Sequence, residues 1–324
     1  MRPLQLVTLS GGLGNQMFQY AFLVHLRRRG ARVFPYLGKI RHYGEHNGYE
    51  LERVFGIALT PGERAMDGTL GVPLLGAAVK HLVFPFKYRE RGESDFAANA
   101  ALAGRHAATR FTGYWQGECF FADVADEVRR LYRFDESRLN AQSRSLAESL
   151  RGAENTVSLH VRRGDYYKKD GTPTDFGRAF TADYYDAALA YLANATGKTV
   201  AVTRNPVAAT EISGRLTENP GRLTENPGRL TGESLRPIVF TDDADWCRAH
   251  FPAGFTVVDW NRGPDSWQDM CLMSLCRHHV VANSSFSWWG AWLDARPGGL
   301  VVAPRRWKHG AASPDVAPSH WIRL

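Results

Sequence analysis

Residues 156–165 read TVSLHVRRGD, and this stretch decides the fold class of the 324-residue chain. Its first six residues predict a strand, and two arginines follow at the point where that strand ends. Outward from it, short β-branched runs alternate with amphipathic helical patterns along the chain. Such alternation is typical of α/β proteins with largely parallel sheets, so we expect that fold class.

Further strands and helices are expected on both sides of this stretch. Residues 4–9 predict a first strand, which a glycine-rich turn connects to a helix over 17–29. Residues 40–110 show only weak periodicity. We set the boundary between two domains near residue 150, which gives domains of 1–150 and 151–324. Later strands are expected at 200–202, 238–240, 256–258 and 280–282, with helices over 182–195, 243–250, 265–277 and 285–295.

The composition limits the classes of protein to which the chain can belong. With 44% hydrophobic residues it can form a real core, and its length suits two modest domains. Four scattered cysteines favour reduced thiols in the cytoplasm over a disulfide framework. No stretch approaches the roughly 18 apolar residues of a membrane span. A net charge of +7 fits an ordinary basic protein or one that binds a nucleotide diphosphate or an anionic membrane surface, whereas the dispersed basic residues argue against nucleic acid.

Residues 214–234 contain a heptapeptide in tandem, GRLTENP twice and then GRLTGES. Three short polar copies with Gly and Pro cannot bury a core, and solenoid repeats are much longer. Surface loops accept added length at a small entropic cost. We therefore predict a mobile loop insertion near 204–236, between two elements of the second domain.

A glycine-rich turn, GGLGNQ at 11–16, lies between the first strand and the first helix. Glycines allow a close approach of backbone to ligand, and free N–H groups at a helix start attract anions. The turn lacks the Gly-Lys-Ser/Thr of a P-loop, and Met17 stands where a dinucleotide fingerprint needs Gly or Ala. Taken alone, it fits either a tight structural turn or a binding turn in which the Asn15 and Gln16 amides offer donors and acceptors.

The arginines at the end of the 156–161 strand are the strongest indication of a charged ligand. Because side chains alternate along a strand, His160 and Arg162 share one face and Arg163 takes the other. Open α/β sheets bind ligands beyond the carboxyl ends of their strands, and a guanidinium can grip a phosphate through two hydrogen bonds. The alternative is a structural Arg–Asp pair in which Asp165 compensates the positive charge. A phosphate-bearing ligand is the better account.

An acidic turn, TDDAD at 241–245, follows the strand expected at 238–240. Asp243 is suited to cap the next helix, which is a frequent role for this residue type. Asp243 and Asp245 also match the short D-x-D pattern of metal-dependent glycosyltransferases. That pattern is common by chance, so we expect no metal ion here.

The helix expected over 265–277 carries Asp269 in an otherwise apolar stripe. A carboxylate that faces a core needs a hydrogen-bond partner, so we interpret Asp269 as an acceptor that faces a ligand. The following strand leads into ANSSFSWWG at 282–290. Serine hydroxyls at a helix start either cap the helix or bind a diphosphate together with the backbone N–H groups.

Four blocks, in this order and spacing, resemble the α-1,2-fucosyltransferases of glycosyltransferase family eleven: GGLGNQMFQYAF, HVRRGDYY, FTDDADWC and ANSSFSWWGAW. GYWQGECFF at 113–121 is similar to another block of that family. The resemblance extends over most of 4–293, is weakest over 40–110 and is absent at the heptapeptide repeat. Core α-1,6-fucosyltransferases and protein O-fucosyltransferases are similar more distantly. The ordered set is far more specific than any single block.

The resemblance implies a fold and an activity. The fold is GT-B, in which two Rossmann-like domains face each other across a cleft, with the acceptor mainly on the first domain and the donor mainly on the second. The activity is inverting, metal-independent transfer of L-fucose from GDP-β-L-fucose to a galactose hydroxyl of an oligosaccharide or O-antigen glycan, in α-1,2 linkage. No cofactor is expected besides the donor substrate. A bacterial cytoplasmic enzyme is favoured, with room for peripheral association with the anionic inner membrane.

The resemblance also implies roles for the motif residues. Arg162 holds the β-phosphate and steadies the leaving GDP, with Arg163 beside it. His160 and Asp269 read the guanine. Asp242 or Asp243 contacts the ribose or the guanine. The diphosphate and the fucose are bound from the helix start by Ser284, Ser285, Phe286 and Ser287. Asn15 reaches the donor from a turn that Gly12, Gly14 and Gln16 complete.

The general base is assigned to Asp165, the carboxylate nearest in sequence to the arginines. Beside them its pKa should fall, which keeps it ionised but makes it a weaker base. Two other functions stay open: a glycosyltransferase of the same fold that uses another nucleotide sugar, and a non-catalytic protein that binds nucleotide sugars or glycans. Donor competition would separate the first from fucosyl transfer, and a binding module could dispense with Arg162. An NAD-dependent oxidoreductase fits poorly because the fingerprint is missing.

Overall fold

The computed structural model describes residues 4–42, 46–84, 86–89, 108–164, 166–167, 172–174, 182–200, 233–307 and 316–324. The chain divides into two compact units, Met1–Ser137 with Pro314–Ser319, and Arg138–Ser313 with His320–Leu324. This division lies about one helix before the boundary expected near residue 150. Asp165, most of the loop insertion expected at 204–236 and most of the strand expected at 200–202 lie outside the described residues.

The first unit contains a parallel sheet in the order β2-β1-β4-β3. Its strands are β1 (Leu4–Thr8), β2 (Arg32–Tyr36), β3 (Phe86–Arg89) and β4 (Thr109–Thr112). Its helices are α1 (Leu13–Arg28), α2 (Gly38–His42), α3 (Glu50–Phe55), α4 (Pro61–Gly71), α5 (Pro73–Leu82) and α6 (Ala125–Leu131). Helix α1 starts at Leu13, four residues before the predicted start, because Gly12 takes an extended conformation and serves as its N-cap.

The second unit contains a parallel sheet in the order β7-β6-β5-β8-β9-β10. Its strands are β5 (Thr156–Val161), β6 (Arg236–Thr241), β7 (Thr256–Val258), β8 (His278–Val280), β9 (Val301–Ala303) and β10 (Ile322–Arg323). Its helices are α7 (Ala141–Leu150), α8 (Ala182–Thr196), α9 (Ala244–His250), α10 (Trp267–Ser274) and α11 (Ser285–Trp292). Short 3₁₀ turns occur at Glu118–Phe120, Ala122–Val124, Glu136–Arg138 and Gly263–Asp265.

Strand β5 is the centre of the second sheet. All six of its residues are buried, because β6 and β8 pair with its two edges and helices cover its faces. The chain runs outward from β5 through β6 to β7 and then returns to the other side of β5 with β8. A parallel sheet whose strand order reverses in this way has a crevice at the carboxyl ends of the two strands where it reverses, here β5 and β8.

The predicted α/β class is confirmed, and the structure has the two Rossmann-like units expected of a GT-B protein. All four cysteines are free thiols, and only Cys119 is exposed. Within the part of the chain that the structure describes, no helix is both long and apolar enough to cross a membrane.

Candidate active site

The turn after β5 places Arg162 beside Asp242. Because Val161 pairs with Thr241 in the sheet, the two residues that follow are neighbours. Nη1 of Arg162 lies 3.1 Å from Oδ2 of Asp242. The same carboxylate accepts hydrogen bonds from the backbone N–H groups of Arg163 (2.8 Å) and Gly164 (3.1 Å). Asp242 therefore fixes the strand-end turn and holds one side of the Arg162 guanidinium, while about one third of the Arg162 side chain stays exposed.

Arg163 points away from Arg162, toward α9. Its Nε donates to Oδ2 of Asp243 at 3.0 Å, and its guanidinium carbon lies 4.2 Å and 4.4 Å from the ring centres of Tyr167 and Trp246. Oδ1 of Asp243 accepts from the backbone N–H of Trp246 and caps α9. Asp243 therefore caps the helix, as its residue type predicted. Arg163 forms a structural Arg–Asp pair, and its partner is Asp243.

His160 is a buried imidazole one residue before the end of β5. It is 6% exposed, and within the described residues its Nδ1 is buried without a hydrogen-bond partner. Burial, and then the nearby charge of Arg162, lower its pKa to about 3, so the ring is neutral at neutral pH. Buried nitrogen atoms of this kind usually have a partner, so the open Nδ1 indicates a ligand position.

The start of α11 lies next to the end of β5. The Phe286 ring is 5.9 Å from the His160 ring, centre to centre. Ser284 Oγ accepts from the Phe286 N–H at 3.3 Å, and the buried Ser287 hydroxyl donates to Ser284 O and accepts from Ala282 N. Capping therefore accounts for Ser284 and Ser287, whereas Ser285 and Phe286 are partly exposed at the helix start.

Asp269 is 9% exposed on α10, and its Oδ1 accepts a 2.7 Å hydrogen bond from Asn261 Nδ2. Burial raises the pKa of this carboxyl to about 7, and the Asn261 hydrogen bond offsets part of that effect. The inward position predicted from the apolar stripe is what the structure shows. No sequence signal indicated Asn261 as the protein partner of this carboxylate.

A buried polar network extends from Asp269 to α7. Asn261 exchanges hydrogen bonds with Ser143, at 2.9 and 3.1 Å, and accepts from Asn140 Nδ2 at 2.8 Å. Trp260 Nε1 donates to the same Ser143 hydroxyl. Asn140 also caps α7 through the Ser143 N–H. The only sequence signal for this network is the Asn at a helix start, which does not indicate what lies opposite it.

The glycine-rich turn of the first unit is held by Gln16. This side chain is fully buried, and its Nε2 donates to Gly11 O (2.8 Å) and Gly48 O (2.9 Å) while its Oε1 accepts from Glu50 N. Gln16 thus joins the turn to the start of α3, a role that leaves it no ligand-facing surface. Gly11 has a φ of 77°, which favours glycine.

The remaining turn residues differ in exposure. Asn15 is partly exposed, and its Oδ1 accepts a 2.8 Å hydrogen bond from Gln116 Nε2. Gly12 is also partly exposed, whereas Gly14 is buried. Gly11, Gly12 and Asn15 are therefore the members of this turn that keep accessible surface, and no sequence signal indicated Gln116 as the neighbour of Asn15.

Two rival chemistries find no site in the described part of the chain. No group of three or more His, Cys, Asp or Glu side chains there could hold a metal ion. Ser158, His279 and Asp294 form a hydrogen-bonded chain of 2.8 and 3.2 Å, reminiscent of a hydrolase triad. Ser158 is only 4% exposed within β5, so a substrate cannot reach its hydroxyl.

Comparison with known proteins matches the second unit to one family and the whole chain to two relatives. The sequence model described as glycosyl transferase family 11 matches residues 228–322. An α-1,2-colitosyltransferase of Escherichia coli is 27% identical over 98% of this chain and 97% of its own length. The O-antigen biosynthesis glycosyltransferase WbnK of Escherichia coli is 27% identical over 98% and 99%.

Solved structures give weaker likenesses. Fucosyltransferase NodZ from Bradyrhizobium is 13% identical, covers 90% of this chain and 91% of its own, and has a TM-score of 0.43. A family 9 glycosyl transferase from Veillonella parvula is 10% identical, with coverage of 99% and 86% and a TM-score of 0.41. The fold is shown by the strand order of the two parallel sheets. The two full-length relatives and the partial family match show that the chain is a glycosyltransferase, and its sequence is similar to glycosyl transferase family 11 over residues 228–322.

Proposed function

We propose that this glycosyltransferase transfers L-fucose from GDP-β-L-fucose to a galactose hydroxyl of an oligosaccharide or O-antigen glycan, with inversion and in α-1,2 linkage. The observation that carries the proposal is the group at the carboxyl end of β5. There, a partly exposed arginine, a buried histidine with an open nitrogen and the start of α11 meet at the reversal point of a parallel sheet.

Arg162 is the proposed ligand of the β-phosphate. Its side chain is anchored through Asp242, which fixes the guanidinium without enclosing it. As the bond between fucose and the β-phosphate breaks, negative charge develops on the phosphate oxygens. A preorganised positive charge stabilises the leaving GDP where that charge appears, and arginine stays ionised at any working pH. The N–H groups at the start of α11, with Ser285, would contact the same diphosphate.

His160 and Asp269 are the proposed ligands of the guanine. The guanine edge offers N–H donors and a carbonyl acceptor. A carboxylate accepts from those N–H groups, and accepting such bonds favours its ionised form despite the burial that raises its pKa. A neutral imidazole can donate to the carbonyl or accept from an N–H, depending on its tautomer.

The proposed reaction needs no metal ion, and the proposed base is Asp165. Asp243 already caps a helix and pairs with Arg163, so it is poorly placed to share an ion with the exposed Asp245. In the proposed reaction, a hydroxyl oxygen of galactose attacks the anomeric carbon. The carbon–oxygen bond to the β-phosphate breaks, and the hydroxyl proton goes to the carboxylate. Activity should persist with EDTA present.

A second donor sugar should be tested in the same experiment. One relative is named for α-1,2 transfer of colitose, another deoxy sugar. We therefore include GDP-colitose as a competing donor. The acceptor, peripheral attachment to an anionic membrane and the role of Asn15 belong to the proposal as well.

The test is transfer by purified protein from GDP-fucose, GDP-colitose and GDP-mannose to a panel of galactosides, with and without EDTA, and product linkage read by NMR. We expect fucosyl transfer in α-1,2 linkage and loss of turnover in Arg162→Ala with an unchanged circular dichroism spectrum. A preference for another donor would show that the transferred sugar is not L-fucose. Tight GDP binding without transfer to any acceptor would favour the non-catalytic alternative. Near-normal turnover of Arg162→Ala would overturn the phosphate assignment.

A further inference from the structure

The buried carboxylate of Asp269 has one oxygen bonded to the protein and one left for a ligand. Oδ1 accepts the hydrogen bond from Asn261 Nδ2, and no donor from the described residues reaches Oδ2. The two ends of an amide group have opposite hydrogen-bonding character, since the NH₂ group donates and the oxygen accepts. The orientation of the Asn261 amide therefore decides whether the carboxylate meets a donor or an acceptor.

That orientation is set by a chain of hydrogen bonds that begins at the backbone of α7. The Ser143 N–H donates to Asn140 Oδ1, so the Nδ2 group of Asn140 faces the other way. This Nδ2 group donates to Asn261 Oδ1, which leaves Asn261 Nδ2 as the end that faces Asp269. Because a backbone N–H can only donate, each later bond of the chain has a single direction. We call Asn140 and Asn261 the amide relay.

Further contacts hold the amide relay in place. Asn261 is 7% exposed, and the Ser143 hydroxyl that touches both ends of its amide is fully buried and accepts from Trp260 Nε1 at 3.0 Å. The backbone N–H of Asn140 donates to Gln268 Oε1 of α10 at 2.9 Å. Capping of α7 requires only the bond from the Ser143 N–H, so capping does not account for the polar chain that continues to α10.

From this geometry, we infer that Asn140 and Asn261 are positioning residues that keep Asp269 a hydrogen-bond acceptor for the purine of the donor nucleotide and so select guanine over adenine. The inference rests on the proposed function, in which Asp269 reads the guanine. Guanine presents N–H donors at N1 and at its 2-amino group, whereas adenine presents an acceptor at N1 and has no amino group at C2. An Asp269 that already receives the Asn261 N–H at Oδ1 accepts from guanine at Oδ2 and repels the adenine N1 lone pair.

The test is calorimetric binding of GDP and of ADP to the full chain and to the variants Asn140→Ser and Asn140→Asp. Ser and Asp cap a helix about as well as Asn, but Ser is one atom shorter and an ionised Asp has no N–H to donate to Asn261. We expect both variants to keep the circular dichroism spectrum and to lose about tenfold in the ratio of GDP affinity to ADP affinity. Asn155→Asp removes an amide donor from an exposed contact with Ser234 O in the same unit, and this matched control should keep the original ratio.

Turnover gives a second measurement. With GDP-fucose, the two Asn140 variants should show a raised KM and a nearly unchanged kcat, because the purine takes no part in the bond changes. A merely structural role of Asn140 would leave the ratio of GDP to ADP affinity as it is. That result in both variants would overturn the inference alone. An original chain that binds GDP no more tightly than ADP would overturn the proposed function and the inference with it, so the two failures are distinguishable.

Discussion

Replacing Asp269 by Asn should stabilise the protein in a way that depends on pH. The carboxyl is 9% exposed, and burial raises its pKa from an unfolded value of 3.8 to about 7. Because the folded pKa is the higher one, the stability that the protonated carboxyl contributes is complete below about pH 4. It is lost progressively as pH rises to about 7, and the loss is constant above that value.

The size of the effect follows from the shift. A difference of about three pKa units corresponds to about 4 kcal/mol in the free energy of unfolding. Asn has the same shape, can still accept the Asn261 hydrogen bond and never ionises. The stability difference between Asp269→Asn and the original chain should therefore grow by about 3 kcal/mol between pH 4.5 and pH 8.

Urea unfolding followed by tryptophan fluorescence at several pH values measures this difference directly. Asp265→Asn, at an exposed position in the same segment, is the control for removing a carboxylate. A difference between the Asp269 variant and the original that stays flat from pH 4.5 to pH 8 would refute the reasoning. If Asp269 also reads the guanine, the stabilised variant should bind GDP at least tenfold more weakly by calorimetry, because an acceptor becomes partly a donor.

Three further substitutions test other contacts in the structure. Asn261→Ala should lower the free energy of unfolding by about 1–3 kcal/mol and raise the pKa of Asp269 further. The second effect is measured by comparing Asp and Asn at position 269 in the Asn261→Ala background, where the pH dependence of their stability difference should shift to higher pH. Arg163→Ala should lower the free energy of unfolding by about 1–2 kcal/mol, since it removes an ion pair and two aromatic contacts. Arg248→Ala, which removes a more exposed ion pair, should have little effect in the same urea titration. Gly76→Ala should lower the free energy of unfolding by about 1–3 kcal/mol because its Cβ meets the Leu70 carbonyl. Gly68→Ala, whose Cβ would point into open space, should be neutral or stabilising. Equal effects of the two substitutions in thermal unfolding would contradict this packing argument.

Strand β5 and its arginines show what sequence reasoning can reach. A fully buried strand leaves a clear run of residues, and the alternation of side chains correctly separated Arg162 from Arg163. The apolar stripe around Asp269 predicted its inward position. These patterns are local and periodic, so they can be recognised in the sequence without knowledge of the tertiary structure.

Other features depended on partners that are distant in sequence. Gln16 and Asn15 are adjacent amides in one turn. Gln16 is fully buried and donates a hydrogen bond to the backbone carbonyl of Gly48, whereas Asn15 is partly exposed. Strands β9 and β10 have three and two residues, too few to show a period. The Asn261 hydrogen bonds to Ser143 form only when α7 packs beside α10, and no sequence pattern records that contact.

The strand order of the second unit has a consequence for synthesis of the chain. Strand β5 pairs with β6, which begins at Arg236, on one edge, and its other partner, β8, begins only at His278. Until that point leaves the ribosome, an apolar strand offers unsatisfied backbone groups along a whole edge, which invites pairing with other chains. Truncation before residue 278 should therefore yield an aggregating product, and chaperone capture is most useful during the interval between the two pairings.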